Sequence, residues 1–377
     1  MEEAQENQLN IQIQETKQTS LEFHGDGNIN SNKTSSKLKQ RKRWFHLAIF
    51  SILVLCGQLT ATLLGRLYYE KGGKSKYMAA LVQCAGFPIL LPLLCVTSRK
   101  NPMTDTNLSM KLSLAALYII FGTFLALICL LYAVGLKNLP ASTFSLICAS
   151  QLGINAFSSY FLNSQKLTPY ILNSILLLTT SSILLVLQSD STGPSTEGKY
   201  VLGFICTLSG AAGYALQLSL AQRAYGKVLK RQTIKEILNV IFYESLVTTC
   251  TLLVGLFVSG EWKTLKAEMH EFQLGKKSYV MILVWTALAW QVFSIGLVAL
   301  ILKVSSLFAN VVSTVNVPAI PILAVVVFQE KMTGIKVVAM ILAIWGSISY
   351  VYQQYLDDAK SKEENKIPHQ ENETFTA

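Results

Sequence analysis

"SQKLTPYILNSILLLTTSSILLV", residues 164–186, and "QEKMTGIKVVAMILAIWGSISYV", residues 329–351, lie 165 positions apart and align without a gap. The alignment pairs Gln165 and Lys166 with Glu330 and Lys331, and Thr168 with Thr333; its register holds over two helices. A repeat of this length is the sequence mark of many transporter folds. It spans five helices, and an odd number of crossings turns the second copy upside down relative to the first. The expected architecture is an inverted repeat, with a binding site at the midplane between the halves.

The composition agrees with that reading. Of 377 residues, 51% are apolar and only 14% charged, far from the balance of a soluble chain. A membrane-spanning helix needs about 20 mainly apolar residues. Ten such stretches are present, at 44–65, 77–97, 112–135, 141–162, 169–188, 200–222, 237–258, 279–302, 306–328 and 335–355. The fold class expected is an all-α membrane protein of ten transmembrane helices, arranged as two inverted five-helix repeats over 44–188 and 200–355. Residues 1–43 and 356–377 are polar, lack apolar periodicity and are expected to be disordered tails.

Orientation follows from the basic residues, which gather on the cytoplasmic side. Ten spans put both tails on one side, together with the loops around Arg99, Lys166, Arg223–Lys235 and Lys303. That side holds the larger share of the 32 lysines and arginines, so both tails are expected in the cytoplasm. The loop "GRLYYEKGGKSKY" is a counterweight on the other side. Sequons at Asn32, Asn107 and Asn372 then face the cytoplasm and stay unmodified. The net charge of +10 reads as a topology signal, and nucleic acid is not an expected partner.

The seven cysteines all lie in apolar stretches, with no CxxC pair and no histidine at metal spacing, so they read as packing residues. No Ser/His/Asp set, phosphate loop or carboxylate pair falls within the spans. Neither an enzyme nor a bound cofactor or metal is expected.

Polar residues recur at helical spacing instead. Cys148, Gln151, Asn155 and Ser158 share an arc of the fourth stretch; Ser313 and Asn316 hold the positions equivalent to Cys148 and Gln151 in the second half. Gln58 shares a face with Ser51, Thr62 and Gly65. Tyr214 and Gln217 share one with Thr207 and Gly210, and Glu244 shares one with Thr248, Thr251 and Gly255. In the eighth stretch Trp290 aligns with Thr286 and Phe293, while the neighbouring Gln291 points elsewhere. Small and hydroxyl residues at such positions usually serve helix packing. The amides are better candidates for a ligand, because each offers both a donor and an acceptor. Trp290 reads either as a stacking platform or as a packing residue.

Glu244 stands out in "IFYESLVTTC", residues 241–250. A charged carboxylate at the bilayer centre costs about 2.5–3.5 kcal/mol on insertion scales. It must therefore face the bundle, be protonated or be paired. Two uses are open: a proton carrier, or a counter-charge for an amine held against an aromatic wall such as Tyr214 or Trp290. A neutral glutamate bonded to a neighbouring helix is the third reading.

Long strings in order along the chain, among them "CGQLTATLLGRLYYEKGGKSKY", "GFPILLP", "SLICASQLGINAFSSYFLNSQKLTPYILNSILLLTTSSILL", "WTALAWQVFSIG" and "VSSLFANVVSTVNVPAIPILAVVVFQEKMTG", resemble the plant purine permease family from about Gly57 to Asp358. The resemblance implies the ten-helix drug/metabolite transporter fold and proton-coupled import of purine nucleobases and related heterocycles such as adenine and cytokinins by alternating access. It implies a small heterocyclic substrate and protons as partners in the lipid bilayer. Relatives similar in sequence take up pyridoxine, nicotine or benzylisoquinoline alkaloids. It carries Gln151, Asn155, Trp290 and Gln291 over as binding candidates, and leaves Glu330–Lys331–Met332 as either a structural tie or a ligand contact. An acid at position 244 is not a fixed feature of the family.

The substrate-binding set expected is thus Gln58, Gln151, Asn155, Tyr214, Gln217, Glu244, Trp290, Gln291 and Asn316, with Glu244 also the proton-coupling residue. The plasma membrane is the expected location, with the vacuolar membrane left open. A sugar-phosphate or nucleotide-sugar exchanger would need intramembrane Lys or Arg, whereas Arg66 and Lys303 sit at helix ends. A non-transporting scaffold would not need the repeat. Neither the preferred heterocycle nor the oligomeric state follows from the sequence.

Overall fold

The computed structural model describes residues 45–100, 108–163, 168–187, 194–228 and 234–364. Gln165, Lys166 and the three sequons lie outside the described residues, as does the chain before Phe45. Packing separates the residues up to Ile49 from a compact unit beginning at Phe50. Residues 45–49 are helical, with the Phe45 ring edge-on to His46.

The described residues are helical throughout, with short turns and no strand. The long apolar helices are α1 (Phe45–Glu70), α4 (Leu108–Asn138), α8 (Pro194–Val228), α9 (Ile234–Val258) and α11 (Gly275–Lys303). The second apolar stretch is broken into α2 (Lys76–Val82) and α3 (Leu90–Lys100), joined through a 3-10 turn at Phe87–Ile89. Pro88 in that turn has no N–H to continue an α-helical ladder. By length and apolarity, seven helices among the described residues are able to cross a membrane, and Gly334–Ser349 is a shorter apolar helix. The protein is a multi-pass membrane protein.

The remaining stretches contain a regularity. The span expected at 141–162 is divided into α5 (Ala141–Cys148) and α6 (Gln151–Asn163), followed by α7 (Pro169–Leu187). The loop after α9 carries a short helix, α10 (Leu265–Glu271). The span expected at 306–328 is divided into α12 (Ser306–Thr314) and α13 (Asn316–Phe328), followed by α14 (Gly334–Glu364). The helix starts Ala141 and Ser306, Gln151 and Asn316, and Pro169 and Gly334 are each 165 positions apart, and so are the ends Asn163 and Phe328. Pro318, in the first turn of α13, cannot donate back across the break at Val315. The tail expected to be disordered from residue 356 begins instead as helix, because α14 runs on to Glu364.

Packing follows the small residues. A methyl group on Gly57 would stand 2.6 Å from the Phe293 amide nitrogen, and one on Gly296 would stand 2.6 Å from the Phe50 carbonyl, so α1 and α11 meet almost backbone to backbone. One apolar cluster joins Phe144, Ile147, Leu152 and Leu178 to Val311 and Ala339, mixing α5–α7 with α12 and α14. Across it, Ser181 donates to the Ala339 carbonyl and Asn173 to Ser349. A second cluster joins Leu90, Phe121, Ile237, Ile241 and Leu302 from α3, α4, α9 and α11.

Two carboxylates close connections between helices. Glu268, 2% exposed, accepts from the Tyr68 hydroxyl, the Ser75 amide at 3.1 Å and the Tyr279 hydroxyl at 3.1 Å. Three donors make such burial tolerable. Glu330 accepts from the Ala141 amide at 2.7 Å and the Ser142 amide at 3.2 Å, capping α5, whose own N-cap residue is Pro140. Of the two readings of Glu330, the structural tie is the one formed.

Candidate functional site

A cavity of about 180 Å³ lies inside the bundle, bordered by α1, α2, α4, α5, α6, α8, α9, α11, α12 and α13. Its wall is mainly apolar and aromatic, with polar groups at few points, the usual make-up of a small-molecule site. Both helix breaks meet it: Gln151 opens α6 and Asn316 opens α13, and each turns its side chain to the wall.

Seven of the nine expected residues line the cavity: Gln58, Gln151, Tyr214, Gln217, Glu244, Trp290 and Asn316. On one side the amides join. Gln151 Nε2 donates to Asn310 Oδ1 at 2.8 Å, and Gln151 Oε1 accepts from the Tyr132 hydroxyl at 3.2 Å. Gln58 Oε1 accepts from Ser313 at 2.8 Å and from Asn316 Nδ2 at 3.0 Å, and that same Nδ2 donates to the Leu55 carbonyl. These bonds bind α6 to α12 and α1 to α12 and α13.

On the other side stand Glu244 and Gln217. Glu244 Oε1 accepts from Gln217 Nε2 at 2.6 Å. Among the described residues Glu244 makes no ion pair. Gln217 is 4% exposed, and its Oε1 has no partner among the described residues. The Tyr225 hydroxyl lies close to the Glu244 carboxyl but outside ordinary hydrogen-bond geometry, and is likewise buried without a partner. A buried polar atom left unpaired costs about 1–3 kcal/mol. Both atoms stand beside one carboxylate, on side chains that border the cavity.

The aromatic residues supply flat walls. Tyr132 and Tyr214 meet edge to face at 6.4 Å, as Trp290 and Phe293 do at 5.3 Å. All four border the cavity. Ring edges packed on neighbouring rings hold the exposed faces in place for a planar ligand.

The other two expected residues are placed elsewhere. Asn155 is fully buried outside the cavity wall; its Oδ1 accepts from Ser219 at 2.7 Å and its Nδ2 donates to the Ser306 carbonyl. It lies one helical turn beyond Gln151, where α6 already packs on α8 and α12. Gln291, 1% exposed, donates to the Cys84 carbonyl at 3.1 Å and packs on Gly86, away from the cavity. Thr248 bonds the Gly122 carbonyl, and Gly255 gives room to Tyr77, so that stripe of α9 serves packing except at Glu244.

Tyr132, Tyr225, Gln83 and Asn310 border the site without having been expected there. Ser313 and Thr314 stand three and four positions after Asn310, a stripe that helical spacing exposes. Tyr132 and Tyr225 carry no such signal: tyrosines near helix ends usually sit at the membrane interface.

A family described by purine nucleobase transmembrane transport matches residues 45–360. Purine permease 21 of Arabidopsis thaliana is 55% identical over 331 residues, covering 87% of this chain and 85% of that protein. Probable purine permease 10 of the same plant is 52% identical over 330 residues, covering 86% of this chain and 85% of its own length. Probable purine permease 6, also from Arabidopsis thaliana, is 48% identical over 371 residues, 95% of each chain. Permeases are carriers, so the chain is a transporter and not an enzyme. Likeness of this extent over nearly the whole described structure, around one cavity inside a helical membrane bundle, assigns the chain to the purine permease family.

Proposed function

We propose that the protein imports purine nucleobases and related heterocycles across the plasma membrane, driven by protons and working by alternating access. The observation that carries this reading is the cavity itself: flat aromatic walls at Tyr132, Tyr214 and Trp290, amides at Gln58, Gln151 and Asn316, and a lone carboxylate at Glu244. A nucleobase asks for a flat slot with donors and acceptors at its edge, and amides present both. Gln58, Gln151, Tyr214, Gln217, Glu244, Trp290 and Asn316 are the substrate-contacting set in this reading. Asn155 and Gln291 hold the helices that carry them.

Ten spans in two inverted halves are supported by the helix starts and ends that recur at 165 positions, and by the two broken helices meeting at the cavity. Discontinuous helices at the contact between repeats are where carriers of this kind bind their cargo. In the proposed cycle Glu244 takes a proton while the cavity opens to the outside and releases it when the cavity opens inward. Both tails lie in the cytoplasm. An alternative cargo class, amine-bearing alkaloids or pyridoxine, is favoured by one feature alone: Glu244 has no cationic partner among the described residues, so a cationic ligand would supply it.

Uptake of labelled adenine in yeast lacking its own purine importer tests the reading, with pyridoxine and a benzylisoquinoline as competitors. Adenine uptake resisted by both competitors supports the purine assignment. Uptake of the amines with none of adenine replaces it by the alternative.

A further inference from the structure

Among the described residues Gln217 and Gln291 each keep a buried amide oxygen without a partner, and of the two Gln217 borders the cavity. Its Nε2 donates to Glu244 Oε1 at 2.6 Å and reaches the Phe121 carbonyl at 3.5 Å, while its Oε1 is buried, unpartnered and part of a side chain that borders the cavity. A carboxylate accepts hydrogen bonds only, so a charged Glu244 fixes the amide with nitrogen towards the acid. The carbonyl is then the atom left for a ligand. A neutral Glu244 gains an O–H donor, and the amide becomes free to turn over, with Oε1 accepting that O–H and Nε2 taking the place the carbonyl held.

We propose that Gln217 is a specificity-determining residue that converts the protonation of Glu244 into the hydrogen-bonding sense of the cavity edge. With Glu244 charged, the edge offers a carbonyl and selects a base carrying an N–H donor, such as the exocyclic amine of a 6-aminopurine. With Glu244 neutral, as in the proton-loaded carrier, the edge offers an NH2 group and takes an acceptor, a ring nitrogen of adenine or equally the carbonyl of a 6-oxopurine, so the preference for the 6-aminopurine is lost while its binding is kept. No covalent bond changes: one proton from the solvent resides on the Glu244 carboxyl and leaves it again. The inference rests on the reading of the cavity as a purine site.

The surroundings leave this pair in control of its own state. Tyr225 and Tyr214 on α8, Tyr118 on α4 and Cys84 in the turn after α2 are the titratable groups that interact with Glu244, and Tyr243 is its chain neighbour on α9. The residues that α11 gives to the cavity wall, Trp290, Ser294 and Val298 among them, include no titratable group. No cation stands among them. The Tyr225 hydroxyl, buried without a partner, is placed to donate to the carboxylate or to the bound base in the charged state.

The test is competition between adenine and hypoxanthine for labelled adenine uptake in yeast, between pH 5.5 and 7.5, where both bases remain neutral. Taking the ratio of the two inhibitory concentrations cancels the change in proton driving force, which acts on both alike. In the wild type the preference for adenine is expected to fall about tenfold as the pH falls, the worth of one matched hydrogen bond. In Gln217→Met, which fills the same space without donor or acceptor, the ratio is expected to stay flat with pH. A flat ratio in the wild type overturns the proposal while leaving purine transport intact, and so does a pH-dependent ratio that survives in Gln217→Met. Absence of uptake and of competition by either base in the wild type overturns the purine reading of the cavity, and the proposal with it. If the variant does not reach the membrane, the wild-type ratio decides alone.

Discussion

On one side of the cavity Gln58, Gln151, Asn310 and Asn316 bond to each other and to a helix carbonyl; on the other, Gln217 and Tyr225 keep polar atoms without partners beside Glu244. Both sides are built from the same kinds of residue, and all of them border the same space. The difference lies in what faces each one across the helix contact. Amides that answer one another hold broken helices together, whereas a carboxylate set against a single amide leaves bonding capacity for a guest. In the proposed reading the first side is a pre-bonded edge that both holds the broken helices and meets the base, and the second is the side with bonding capacity to spare.

The largest effect expected from this contrast is at Glu244. Glu244→Gln keeps size and polarity but removes the exchangeable charge, and is expected to abolish gradient-driven accumulation of adenine; near-normal uptake from pH 5.5 to 7.5 would remove Glu244 from the coupling role. Next is the amide side. Gln151→Leu strands Asn310 and is expected to cost about 0.6–2 kcal/mol of stability, the range of interhelical hydrogen bonds in membranes. Pairing it with Asn310→Leu should cost less than the sum of the two single changes, read as melting of the purified protein in detergent. A sum that simply adds would show that the two amides act separately. The aromatic wall comes third: Trp290→Leu is expected to weaken competition by flat bases about two- to tenfold without altering pH dependence.

The smallest effect is expected at the exposed ion pair of Lys74 and Glu271, 2.8 Å apart. Its hydrogen bond raises the affinity of Lys74 for its proton and lowers that of Glu271. Any stability it gives is present above the ordinary carboxylate range and fades as pH falls through the lowered value of Glu271. Both groups are fully in solvent, so Glu271→Gln should leave melting and uptake unchanged.

The sequence made much of this legible and left a definable part hidden. The 165-residue register was visible because residues 164–186 and 329–351 align without a gap, and the helix starts at Pro169 and Gly334 keep the same spacing. The breaks before Gln151 and Asn316 were not visible, since a broken apolar span has the same composition as a continuous one. Glu244 was legible because a single charge in an apolar run must be accounted for. Asn155 and Gln291 looked equivalent to Gln151 and Gln217, yet the structure sets them against Ser219 and the Cys84 carbonyl. A helical wheel tells which residues share a face; it does not tell what stands opposite. For the same reason Tyr225 and Tyr132 escaped notice, because their importance comes from neighbours on α9 and α6 and not from their own helices.

The central claim is that this cavity carries a purine base in together with a proton. The most direct test is uptake of labelled adenine into yeast lacking a purine importer, measured with and without a protonophore. The account predicts accumulation that collapses when the proton gradient is dissipated and that excess unlabelled adenine displaces. Accumulation unchanged by the protonophore would contradict it.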